Sequence, residues 1–119
     1  MAENMTPEQE EQATLESAMG LIANGGNAKS LAFEAIRLAK TGDIEGARAK
    51  LKESDESLNE AHNSQTGMLT KEAQGGHTKV TLLVVHSQDH LMNAITFRDL
   101  AGEMVDLYEK LYENGTLKK

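Results

Sequence analysis

Residues 82–95 read Leu82-Leu83-Val84-Val85-His86-Ser87-Gln88-Asp89-His90-Leu91-Met92-Asn93-Ala94-Ile95, and this run decides how the chain folds. Turned at roughly 100° per residue, Leu83 and Ala94 join Phe97, Ala101 and Tyr108 in one apolar stripe. Leu82, Val85, Met92, Leu100 and Leu107 make a second stripe, and Val84, Leu91 and Ile95 a third. A helix that is apolar nearly all round asks for cover on every side. Two partner helices from the same chain cannot supply it, so the surplus predicts an exposed patch that other copies of the chain close. The spacing thus predicts a helix over about 79–112, around which a homo-oligomer is built.

Working back from this helix, Gln74-Gly75-Gly76-His77 reads as a loop, with Thr78 or Thr81 available to cap the next helix. Before the loop, Ile44, Ala47, Leu51, Leu58, Ala61 and Met68 keep the three-and-four spacing of a bundle seam, which Ser54 and Gln65 interrupt. That pattern predicts a second helix over about 44–70. Lys40-Thr41-Gly42-Asp43 supplies a basic last turn, a glycine for the left-handed cap and an aspartate to start the next helix, so a tight turn joins the first two helices. Thr6-Pro7-Glu8-Gln9 opens the first helix, over about 7–40, with a capping box and a proline at the first helical position. Inside it, Asn24-Gly25-Gly26-Asn27 favours a kink or a break, since each helical glycine costs about 1 kcal/mol relative to alanine. The expected fold is all-α, an antiparallel three-helix bundle in a single domain over 1–119.

Composition narrows the function. Twelve Lys and Arg against 19 Asp and Glu give a formal net charge of −7 with no clustered basic patch, which disfavours nucleic acid or an anionic membrane as the main partner. The chain has no cysteine, so disulfides, thiolate nucleophiles and cysteine-held metals are excluded. The opening MAENMTPEQEEQ lacks the basic start and apolar run of a secretory signal. No later stretch approaches the roughly 20 apolar residues of a membrane span. A cytoplasmic protein that meets the membrane only through a partner is expected.

Chemistry concentrates in one place. His86, Asp89 and His90 stand at i, i+3 and i+4, on adjoining parts of one helix surface. Two histidines and a carboxylate at this spacing suit a zinc-like metal, although the glutamate of the helical hydrolase motif is absent. Alternatively, one imidazole attacks phosphorus, forming a phosphoramidate with enough transfer potential to pass the group on. In the third reading the histidines merely pack. Asp89 also interrupts the second apolar stripe between Val85 and Met92. Buried there, its carboxylate must be protonated, paired or bound to a cation. Around a symmetry axis several copies would converge into an oxygen site for a hard metal, whereas in a slightly different register Asp89 faces water.

The run Val80 to Met92, with its core His86-Ser87-Gln88-Asp89-His90-Leu91-Met92, resembles the signature of enzyme IIA components of the lactose, cellobiose and diacetylchitobiose phosphotransferase systems. Gly20-Leu21-Ile22, Asn27-Ala28-Lys29-Ser30-Leu31-Ala32, Leu58-Asn59-Glu60-Ala61-His62 and Gln65-Thr66 agree in the same order, so the resemblance covers nearly the whole chain. Gly25-Gly26, Gly67 and Gly102 depart from it without touching His86.

The resemblance implies a homotrimer of three-helix subunits, nine helices in all, with the phosphorylated histidine at His86 near a subunit interface. It further implies that three Asp89 side chains meet on the axis around a divalent cation, expected as Mg2+. The phosphoryl group would come from the phosphohistidine of HPr and pass to a cysteine of the cognate enzyme IIB. The enzyme IIC transporter then couples it to uptake of a disaccharide, cellobiose/diacetylchitobiose or lactose, with helix one closer to the former branch. Gln88 and His90 fall in the matching motif and are assigned support of His86. His62 belongs to a matched segment and His77 to a loop, with weaker claims. The rival from another class is a helical metal-binding or scaffold oligomer without covalent chemistry.

Overall fold

The computed structural model describes residues 5–119. They form α1 (Pro7–Lys40), α2 (Ile44–Ala73) and α3 (Leu82–Glu113), and no strand occurs among the described residues. The three run up, down and up in an elongated bundle measuring 63 × 24 × 20 Å.

Each helix begins where its side chains can satisfy the orphan amides. The Thr6 hydroxyl accepts from the Gln9 amide at 3.1 Å while Gln9 Oε1 accepts from the Thr6 amide at 2.9 Å, a reciprocal pair that fixes the start of α1. Asp43 Oδ1 accepts from the Gly46 amide at 2.9 Å and starts α2. Between them Gly42 takes φ +92°, a left-handed conformation costly for any residue with a Cβ, and the stem of Lys119 lies over it.

Thr81, not Thr78, caps α3 by accepting from the Val84 amide at 3.2 Å, so α3 begins three residues later than the apolar pattern suggests. Thr78 instead donates its amide to Glu72 Oε2 at 3.3 Å, which ties the loop back to the end of α2.

The core explains the helix order. Along α1 the buried positions are Ala18, Leu21, Gly25, Ala28, Ala32, Ala35 and Ala39, alternating steps of three and four that keep one line on the helix. Because nearly all are alanine or glycine, neighbouring backbones come close. Ala47, Leu51, Ser54 and Ala61 of α2 and Leu91, Ala94, Ala101 and Val105 of α3 complete the interior. Within one chain α1 packs extensively on both other helices, and α2 and α3 touch each other far less.

The glycine pair neither kinks nor breaks α1, which is continuous through Gly25 and Gly26. Gly25 packs on α3: a Cβ on it would lie at ordinary contact distance, 3.4 Å from the His90 carbonyl oxygen and 3.6 Å from Leu91 Cα. Both polar interruptions of the α2 seam are satisfied. The buried Ser54 hydroxyl donates to the Ala28 carbonyl at 2.7 Å, and Gln65 Nε2 donates to Gln88 Oε1 at 2.8 Å.

Burial separates the stripes of α3 as expected. Ala94 and Ala101 of the first are buried, whereas in the second Leu82, Val85, Met92, Leu100 and Leu107 are exposed by 86%, 52%, 53%, 58% and 53%. That whole line lacks cover within the chain. Among the described residues no helix is long and apolar enough to cross a membrane.

Candidate functional site

The rotation of α3 about its own axis decides what the site contains. Ser87, Leu91 and Ala94 are buried and turn one side of the helix into the bundle, with the Ser87 hydroxyl donating to the Val84 carbonyl at 2.6 Å. His90 lies just off that line and is half-buried; His86, a further step round, is exposed. Their rings meet edge to face, with centroids 4.5 Å apart at 83°. His86 therefore presents a solvent-facing imidazole on a helix whose backbone one turn on is held against α1 at Gly25.

Apolar surface flanks the two rings. Phe97 shares their face of α3 and stacks on Phe33 of α1 at 5.7 Å, with the Arg37 guanidinium 4.7 Å over the Phe33 ring. Leu15 and Met19 occupy the same side of α1 as Phe33, and the three are 41%, 51% and 45% exposed. A polar, nucleophilic pair set in such a surface suits docking of a protein partner better than enclosure of a small molecule. The large cleft at the end of the bundle, lined by Leu15, Leu83 and Val84 among others, includes neither ring.

The other motif residues point elsewhere. Gln88 is roughly 200° of helix rotation from His86 and faces α2, where it accepts from Gln65 and sets its own amide nitrogen 3.7 Å from the Met68 sulfur. That nitrogen thus has only a weak acceptor. Within one chain Gln88 and His86 do not meet. Asp89 is exposed in the line between Val85 and Met92, and Asn93 Nδ2 donates to its Oδ1 at 3.0 Å and to its main-chain carbonyl at 3.1 Å. Asn93 lies just beyond the motif and is not singled out by it; an amide one turn past a carboxylate is the signal in the sequence that points to it.

Among the described residues no group of three or more His, Cys, Asp or Glu comes together to hold a metal ion. A cation held at Asp89 would draw its remaining ligands from groups other than such a cluster, other copies of the chain among them. Asp89 fits such a site chemically, offering an exposed carboxylate with one oxygen already held by Asn93. His62 is exposed beside a shallow groove with Asp55, Asn59 and Ile95, and His77 is exposed at the loop, 3.4 Å from Glu72. Neither joins the His86 pair.

Comparison with known proteins bears on this geometry. Residues 16–109 match the family of the PTS system lactose/cellobiose specific IIA subunit. A lichenan-specific phosphotransferase enzyme IIA component of Bacillus subtilis is 53% identical over 93 residues, 78% of this chain and 84% of that protein. The crystal structure of the cellobiose-specific enzyme IIA of Bacillus anthracis superposes with a TM-score of 0.81 at 41% identity, covering 95% of this chain and 98% of the other. The diacetylchitobiose IIA of Escherichia coli, solved in complex with HPr, gives a TM-score of 0.72 at 45% identity over 82% of this chain and 95% of its own.

Proposed function

The chain belongs to the lactose/cellobiose-specific IIA subunits of the sugar phosphotransferase system, and from that premise we propose that His86 is the residue on which it carries a phosphoryl group. In the first step an imidazole nitrogen of His86 attacks phosphorus in line, forming a P–N bond as the P–N bond of phospho-HPr breaks and the HPr imidazole leaves. In the second, a cysteine thiolate of the cognate enzyme IIB attacks the same phosphorus, and the bond to His86 breaks. The transition state is loose, so positioning and hydrogen-bond donors near the equatorial oxygens carry most of the catalysis. His90, edge-on at 4.5 Å, stands where it can supply one such donor.

The observation that carries this reading is the exposed His86 ring paired with His90 within an apolar docking surface. The E. coli relative solved with HPr supports HPr as the donor. Disaccharides of the cellobiose/diacetylchitobiose or lactose type are the sugars whose uptake this transfer drives. The uncovered line Leu82, Val85, Met92, Leu100 and Leu107 supports association of copies along α3, and the assembly proposed is a homotrimer. Asp89 in that line would then meet its counterparts around a divalent cation, Mg2+ being the expected ion.

The test is to incubate the purified chain with phosphoenolpyruvate, enzyme I and HPr and to determine its mass. Gain of one acid-labile phosphoryl group, absent in His86→Ala, is expected, followed by its loss on addition of enzyme IIB. A chain that takes up no phosphoryl group favours the rival, a helical metal-binding or scaffold oligomer without covalent chemistry.

A further inference from the structure

Asn93 makes an arrangement that the proposed phosphoryl transfer does not use. Its amide nitrogen is 3.0 Å from Asp89 Oδ1 and 3.1 Å from the Asp89 main-chain oxygen. Both neighbours only accept hydrogen bonds, so the amide nitrogen, not its oxygen, must face them. The contact bridges the carboxylate and the backbone of the same residue, which fixes the side-chain torsion of Asp89. One carboxylate oxygen is thereby engaged, and Oδ2 is left to meet something else.

We propose that Asn93 is the positioning residue that presents Asp89 Oδ2 to a hard divalent cation shared between copies of the chain. The inference rests on the reading that copies associate along the exposed line of α3, where Asp89 stands between Val85 and Met92, exposed by 52% and 53%. Carboxylates converging on one point repel one another and lose water, and a free side chain would turn away from the axis. A donor fixed on the same helix prevents that rotation and shares part of the charge. Hydrogen-bonded partners of this kind orient a ligating carboxylate, and their loss typically costs about 10–100-fold in metal affinity. A purely local role is the alternative: an exposed Asn–Asp contact one turn apart adds little to a helix.

The experiment titrates Mn2+ into the purified full chain, following free Mn2+ by electron paramagnetic resonance. Sedimentation velocity gives the assembly state, and circular dichroism the helix content. Wild type is expected to sediment as a trimer and to bind one ion per trimer, and Asp89→Ala to bind none. Asn93→Ala is expected to bind the ion on the order of 10–100-fold more weakly while keeping its helix content and, at saturating Mn2+, its sedimentation. Equal affinity in Asn93→Ala and wild type overturns the role of Asn93 and leaves the shared site standing. A wild-type chain that binds no ion, or sediments as a monomer, overturns the shared site and the role of Asn93 with it.

Discussion

Gly25 of α1 faces the backbone of His90 in α3, so closely that a Cβ there would lie 3.4 Å from the carbonyl oxygen. The contact links fold to chemistry, because the turn it presses on carries the ring that edges His86. Alanine fits at ordinary van der Waals distance, and Gly25→Ala should change stability by no more than about 1 kcal/mol. Gly25→Leu must push α3 away, costing about 1–3 kcal/mol and displacing His90. Thermal unfolding together with the rate of phosphorylation by phospho-HPr checks both. An unaltered rate in a destabilised Gly25→Leu would show that the site does not depend on this approach.

His90 should matter to rate more than to stability. It is half-buried and contributes little to the interior, but its ring lies edge to face with that of His86 at 4.5 Å, within reach of a group carried there. Loss of one well-placed donor to a transferring group costs on the order of 100-fold. His90→Ala is therefore expected to accept the phosphoryl group about 100-fold more slowly while unfolding at nearly the wild-type temperature. Rapid-quench measurement of transfer from phospho-HPr decides it, and wild-type speed would reduce His90 to a packing residue.

The helices were legible because their signals are local. The capping box of Thr6 and Gln9, the left-handed Gly42 and the cap at Asp43 each involve residues within a few positions of one another. His86, Asp89 and His90 were likewise found through spacing on one helix. What was not legible depended on a second helix. Gly25 reads as a weak point, although its backbone packs on His90 and Leu91 of α3, and Gln88 reads as a companion of His86 although its partners, Gln65 and Met68, belong to α2. The three residues between the predicted and observed starts of α3 are explained by Glu72, which holds Thr78 in the loop and leaves Thr81 to cap.

Ser54 offers a test of the close seam between α1 and α2. Its hydroxyl is fully buried and donates to the Ala28 carbonyl at 2.7 Å, across an interface of alanines. Ser54→Ala removes a donor without stranding the carbonyl, which keeps its place in the helix ladder, so a loss of about 1 kcal/mol is expected. Ser54→Leu adds volume at a position with no exposed surface, directly against the Ala28 carbonyl, and should cost about 1–3 kcal/mol. Urea unfolding measures both. A Ser54→Leu chain as stable as wild type would mean that the seam can open.

Gly67 and Gly102 both lie in helix interiors without a positive φ, yet replacing them with alanine should give different results. At Gly67 nothing lies within 4 Å of an added Cβ, and Gly67→Ala should stabilise by about 1 kcal/mol through helix propensity alone. At Gly102 the added Cβ would come within 2.8 Å of Arg98 Nη1. The far end of an arginine ordinarily moves aside, but Asp55 holds this one through Nε at 2.6 Å and Nη2 at 3.0 Å. The propensity gain at Gly102 should therefore be offset by strain on that pair, leaving Gly102→Ala close to neutral. Asp55→Ala frees the guanidinium, and in that background Gly102→Ala should recover about 1 kcal/mol. Chemical denaturation of the four chains of this cycle gives the coupling. Equal effects of Gly102→Ala with and without Asp55 would show that the arginine yields freely and that the ion pair constrains nothing.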